Sequence, residues 1–230
     1  MYRIGWEYTI STMMTHFKDL SMNKLGHFRE FETKYCLDGD KVFEFKQLVE
    51  NLNEQYDFLY VQGPDHYYTK PDGSFLRYRK ADNDKTGRAE LTMKSKFDGA
   101  INNILRKEIN LRVDKNNFNT IEEFATMLGY VFNFKIWKMC HIYKFKEATL
   151  VFYTVRDENS EMTHFIEIEI DEDLIPKLTE EEAWNIIRKY EKELTPLGIT
   201  YRHRLNKSLF EMYVKPIHGE RSVQIVENIK

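Results

Sequence analysis

Glu30, Glu32 and Lys34 occupy every second position of FREFETKYCL, residues 28–37. Residues two apart share one face of a β-strand, so these three charges point the same way. Phe31, Thr33 and Tyr35 take the other face, and those types favour strands. The pattern recurs downstream. Arg77 and Arg79 oppose Leu76 and Tyr78, and Glu90, Thr92, Lys94 and Lys96 oppose Leu91 and Met93. Arg106, Glu108, Asn110 and Arg112 oppose Leu105, Ile109 and Leu111. Glu167 and Glu169 oppose Ile166, Ile168 and Ile170. The charges are segregated by strand: acids with a lysine, then arginines, then lysines, then acids again.

That inventory suits phosphate chemistry. Arginine forks and lysine ammonium groups grip phosphate oxygens. Carboxylates hold Mg²⁺, which bridges to phosphate and keeps some of its waters. Unpaired charges in a dry interior are costly, so the segregated pattern reads as a wet interior holding a polyanion and a divalent metal. An antiparallel sheet with one solvated face gives the same alternation. On either reading the apolar strand faces pack under helices.

Other chemistries find less support. His141, His164 and His203 do not cluster at metal-ligand spacing. The segment NDKTGR lacks the Walker spacing and reads as a turn, and no serine or cysteine nucleophile motif is present. Cys36 and Cys140 lie far apart without a metal-type spacing, so they read as reduced thiols of a cytoplasmic protein.

The elements that position these residues follow from periodicity and turn chemistry. Val42, Phe45, Leu48, Val49 and Leu52 recur at helical spacing after the first strand. The runs 65–70 and 75–81 flank Pro71-Asp72-Gly73 and read as a hairpin. Strands are expected at 89–97 and 104–113, then a helix at 120–130 opened by Thr120 and Glu123 at capping-box spacing. Strands return at 136–146, 149–156 and 163–171. Thr179 and Glu182 open a second capped helix that stops near Pro196 and Gly198.

The chain has 230 residues, 42% of them hydrophobic and 14% aromatic, enough for a packed core. Its 34 basic and 37 acidic residues sum to −3, which argues against general nucleic-acid binding. No uncharged run is long enough to span a bilayer, so no membrane partner is expected. With no repeat or Pro/Gly-rich linker, one domain is expected over 26–214, with an extension at 1–25 and a tail at 215–230.

Glu30-Phe31-Glu32-Thr33-Lys34 matches the ExExK signature of the CYTH superfamily, the triphosphate tunnel metalloenzymes. Later elements resemble the family in order: Tyr67 in a second strand, Arg77-x-Arg79, Lys94, Arg106-x-Glu108, Glu167-x-Glu169, and the Lys207-Ser208 pair. The resemblance implies an α+β fold: a closed, eight-stranded antiparallel tunnel barrel, charged inside, with helices packed outside. It implies Mg²⁺ or Mn²⁺ held by Glu30, Glu32, Glu167 and Glu169, and phosphate held by Lys34, Arg77, Arg79, Lys94, Arg106 and Lys138. Glu30, Glu32, Lys34 and Glu108 become the expected catalytic residues.

The implied reaction is metal-dependent hydrolysis of a triphosphate: ATP, tripolyphosphate or thiamine triphosphate. A class IV adenylyl cyclase and a non-catalytic nucleotide or polyphosphate binder are the alternatives, and the implied assembly is a monomer or homodimer. Three departures stand out. Asn110 replaces the second glutamate of the family's RxExE strand, Lys138-Met139-Cys140 replaces a Lys-x-Arg pair, and LVFYTV carries no acid where cyclase-like members have an aspartate.

Overall fold

The computed structural model describes residues 30–83, 85–94, 105–106, 108–114, 116 and 118–216. The extension 1–25, Lys96 and most of the tail lie outside the described residues. Strand β1 (Glu30–Leu37) is followed by helix α1 (Val42–Asn51), β2 (Asp57–Thr69), β3 (Phe75–Arg79) and β4 (Arg88–Lys94). Strands β5 (Leu105–Arg106) and β6 (Glu108–Asp114) lead into α2 (Phe118–Met127). A meander of β7 (Val131–Lys144), β8 (Ala148–Arg156) and β9 (Met162–Ile170) precedes α3 (Glu180–Glu193) and the short α4 (Leu209–Tyr213).

Eight strands form one antiparallel sheet in the order β1-β9-β8-β7-β2-β3-β4-β6, and β5 pairs with the outer edge of β1. In a flat sheet, six strand spacings would hold β1 roughly 29 Å from β4. Instead Lys94 Nζ on β4 lies 2.5 Å from Glu30 Oε1 on β1, so the sheet curls until its ends meet. The hydrogen-bond ladder itself does not close. The expected strand 104–113 is interrupted between Arg106 and Glu108, and its two parts pair with opposite ends of the sheet. The closed barrel implied by the resemblance is therefore a curled α+β sheet, its ends tied by ion pairs and by the chain running from β5 to β6.

Two cores cover the outer face. In one, α1 and α3 pack Phe45, Val49, Ala183 and Ile187 on Phe31, Tyr35, Phe152, Ile166 and Ile168. In the other, α2 packs Ile121 and Ala125 on Tyr68, Leu76, Tyr78 and Leu91. One expectation fails at the sheet's end: Met93, Ile109 and Leu111 are exposed. Among the described residues, α2 reaches β6 only at Val113, and Met93, Ile109 and Leu111 lie beyond it.

Helix α3 begins as expected, with Thr179 and Glu182 in a reciprocal capping box, and Gly198 takes the left-handed conformation just beyond it. Helix α2 starts earlier than expected, so Thr120 lies inside it rather than at its cap. Phe118 rests its ring on His66 and Tyr78, which draws the helix start forward. Strand β2 extends eight residues before the expected start at Asp65, through the breakers Gly63 and Pro64. Pairing with β7 along its whole length sustains it. Glycine is required there, because a Cβ on residue 63 would sit 2.0 Å from the Lys80 carbonyl oxygen.

His66 supplies a pH-dependent element of stability. Burial among Tyr78, Phe118 and Phe132, reinforced by Lys135, lowers its pKa from 6.5 to about 4. The unfolded chain then takes up the proton first as pH falls. The contribution is fully present above pH 6.5 and is lost towards pH 4. Allowing for its partial exposure, about 1–2 kcal/mol is at stake. Urea unfolding of wild type and His66→Phe at pH 7 and pH 4.5 is expected to show a smaller pH loss in the variant.

Candidate functional site

The inner face of the curled sheet lines a cavity of about 230 Å³. Strand β1 contributes Glu30, Glu32 and Lys34; β3 contributes Arg77 and Arg79; β4 contributes Glu90 and Lys94. Glu108 and Asn110 come from β6, Lys138 from β7, and Glu167 and Glu169 from β9. Period-two alternation puts these side chains on one face, and curling turns that face inward. The backbone of Arg106 lies opposite Glu30, but its side chain is outside the described residues. Lys207 is exposed.

Most of the cavity's cations are pinned by built-in acids. Lys94 contacts Glu30 at 2.5 Å and Glu108 at 2.7 Å. Lys34 contacts Glu167 at 2.7 Å and Glu32 at 3.2 Å. Arg79 donates Nε and Nη2 to the two carboxylate oxygens of Asp65, both at 2.8 Å. Arg77 Nη2 donates to Glu90 at 2.7 Å and to Thr92 at 2.9 Å. Two donors are left over. Lys138 is buried and makes no ion pair among the described residues, its Nζ lying 4.0 Å from the centre of the Tyr153 ring. Arg77 Nε is buried without an acceptor among the described residues.

Titration follows this geometry. Burial would raise the Asp65 carboxyl, but the Arg79 guanidinium holds it down at about 2. Burial likewise favours protonation of Glu167 and Glu108, and the lysines beside them reverse it. Burial lowers the Lys138 ammonium pKa, and Arg79 adds to the effect. Burial raises Glu169 well above the carboxylate range, with Glu32, Glu30 and Glu167 adding to it. Glu169 stands directly opposite Glu32 across the β1–β9 ladder, and these all-oxygen donors suit a hard divalent cation. As placed, no three His, Cys, Asp or Glu side chains among the described residues converge as a ligand set. Lys34 and Lys94 already occupy Glu32, Glu167, Glu30 and Glu108.

Two parts of the site escaped the sequence reading. Asp65 is fully buried and clamps Arg79. It alternates with Tyr67 and Thr69, which was the available signal. The other part is α4, whose Leu209 and Phe210 enter the inner face and pack with Tyr67, Phe75, Phe134, Tyr153 and Phe165. The inner face is thus half charged and half apolar, not charged throughout as expected. The run LVFYTV belongs here: Val151, Tyr153 and Val155 face this inner core, while Leu150 and Phe152 face the outer one. A strand buried on both faces reads as a continuous apolar run.

The histidines stay apart, with His164 bonded to Thr154 at 2.9 Å and His203 near Thr200. Both cysteines are free, Cys36 exposed and Cys140 buried. No described helix is long and apolar enough to cross a membrane.

Removing the Lys138 charge is expected to stabilise the protein and weaken anion binding together. Lys138→Met should gain about 1–3 kcal/mol, because a buried charge without a partner is costly. Asp65→Asn should lose about 3–5 kcal/mol by stranding Arg79. Urea unfolding measures both changes, and opposite signs are the expected result.

No protein-family model matches the sequence, and no curated protein matches it. Solved structures do. The PH1012 protein of Pyrococcus horikoshii OT3 is 25% identical, with a TM-score of 0.59 over 81% of this chain and 99% of that one. A candidate adenylate cyclase from Vibrio parahaemolyticus is 17% identical, with a TM-score of 0.55 over 81% of this chain and 98% of its own. HpAC1 from Hippeastrum, a candidate adenylyl cyclase described as having a dominant triphosphatase activity, is 16% identical. Its TM-score is 0.55, over 80% of this chain and 94% of that one.

Proposed function

We propose that this chain, whose fold and ordered charge signature are those of the CYTH superfamily, is a divalent-metal-dependent triphosphatase acting on a small triphosphate. The observation that carries the reading is the pair of unfilled donors, Lys138 Nζ and Arg77 Nε, buried in a cavity whose other cations are pinned. A buried ammonium without a carboxylate is a ready anion site. The description of HpAC1 supports triphosphatase chemistry on this fold.

In this reading a phosphate chain binds first at the unfilled donors, then draws Lys34 and Lys94 away from Glu167 and Glu30. The released carboxylates, with Glu32 and Glu169, would hold a hard divalent cation. A cation held there would supply charge neutralisation for the phosphates and polarisation of the phosphorus centre. Arg77 and Arg79, held in place by Glu90 and Asp65, stabilise charge growing on the leaving diphosphate. Glu108, kept ionised by Lys94, orients a water and takes its proton. The water oxygen bonds to the terminal phosphorus, the bridging P–O bond breaks, and orthophosphate and diphosphate leave. Internal ion pairs thus serve as placeholders for substrate and cation.

The test is phosphate release from tripolyphosphate, ATP and thiamine triphosphate with Mg²⁺ or Mn²⁺. Glu30→Gln/Glu32→Gln is expected to lose activity by about 100-fold or more. A chelator should abolish turnover, and added Mn²⁺ should restore it. Cyclic AMP and diphosphate as products would replace the hydrolase with a cyclase. Triphosphate binding without turnover would leave a binder.

A further inference from the structure

The cavity ends on one side in aromatic rings. Tyr67 and Phe75 line it next to the arginines, and neither has its ring free. Phe210 of α4 lies over Phe75 with ring centroids 4.3 Å apart and an interplanar angle of 12°. Tyr67 is stacked on Phe134 at 4.4 Å and 13°. Aromatic faces beside a phosphate site are where a nucleobase or another flat ring gains affinity by stacking. Here the chain's own Phe210, 7% exposed, takes that place.

Helix α4 is held there by several contacts. Leu205 N donates to the Lys34 carbonyl at 2.8 Å, and Arg204 forms a two-pronged pair with Glu191 at 2.8 and 2.6 Å. Ser208 then caps α4 through Glu211, setting Leu209 and Phe210 into the inner face. On the other side the cavity continues into a mouth of about 550 Å³ lined by Glu90, Glu108, Glu172, Arg112 and Ile109. Among the described residues no aromatic side chain lines that mouth, and carboxylates dominate it. The inner cavity, at about 230 Å³, is smaller than the roughly 300–1,000 Å³ usual for drug-sized ligands.

We propose that Phe210 is a specificity-determining residue, filling the stacking position and so making this a site for bare inorganic phosphate chains rather than nucleoside triphosphates. This inference rests on the reading of the cavity as a triphosphate site. Among the described residues the rings that line the cavity, Tyr67, Phe75 and Phe210, are already stacked on one another or on Phe134, so a nucleoside attached to the chain must lie among the carboxylates of the mouth and adds no affinity.

The experiment compares kcat/KM for tripolyphosphate and ATP with Mn²⁺, using the full chain. Wild type is expected to favour tripolyphosphate by about tenfold or more. Phe210→Ala, which frees the face of Phe75, should narrow that ratio by about tenfold through a lower KM for ATP. Phe210→Leu, which refills the space without a ring, should keep the wild-type ratio. Thermal melting confirms that each variant is folded, and the wild-type ratio stands as a test even if Phe210→Ala is not. Equal or better use of ATP by wild type overturns the inference while leaving the triphosphatase reading intact. A folded Phe210→Ala with an unchanged ratio also overturns it. If calorimetry shows no tripolyphosphate binding and no turnover occurs, the triphosphate reading falls, and this inference with it.

Discussion

Lys94 holds the two ends of the sheet together. Its ammonium group touches Glu30 on β1 and Glu108 on β6 while its own strand pairs with β6. It acts beside two other ties between the ends: β5 on β1 leads along the chain into β6 on β4, and the inner apolar core packs strand against strand. Held by these ties, the charges of the inner face enclose a cavity. Such a buried pair adds little net stability, because desolvation offsets most of the Coulomb gain. Removing one partner strands the others and costs several kcal/mol, on the order of 3–5. Its contribution is therefore to the shape of the fold more than to its depth.

The same logic runs round the cavity. Each pinned cation has an acid of its own: Asp65 for Arg79, Glu90 for Arg77, Glu167 for Lys34. Buried charge is tolerated because it is paired and hydrogen-bonded. The pairs also fix the direction of each guanidinium before any ligand arrives, which limits the reorganisation a charged ligand must drive. Lys138 breaks the pattern: it has no acid among the described residues, and only the face of the Tyr153 ring offsets part of its cost. Stability and anion affinity are opposed at this one residue.

The apolar half of the inner face balances the charged half. Phe210 and Leu209, with Phe75, Phe134, Tyr153 and Phe165, form a second small core inside the curl. That core stiffens the wall behind Arg77 and Lys138 and limits the space beside them. It also explains why the middle of the chain resembles the tunnel family less closely than the first strand does. Cys140 and the LVFYTV run line an interior that is packed with side chains, where acids and arginines would have no water.

Period two was enough to place Glu30, Glu32, Lys34, Arg77, Arg79, Lys94, Glu108, Glu167 and Glu169 on common faces, because alternation is a property of the extended backbone itself. The capped helix at Thr179 was equally legible, since its signal is local and made within four residues. Alternation cannot say whether a charged face is concave, and only the meeting of β1 and β4 decided that. Alternation puts Asp65 on the face of Tyr67 and Thr69 but gives neither its partner Arg79 nor the place of Phe210. Asp65 is defined by a partner 14 residues away, Phe210 by a helix that returns from the chain's far end to fill the interior. Local pattern determined which residues share a side. Long-range packing decided what that side encloses, because curvature and filling depend on contacts between segments distant in sequence.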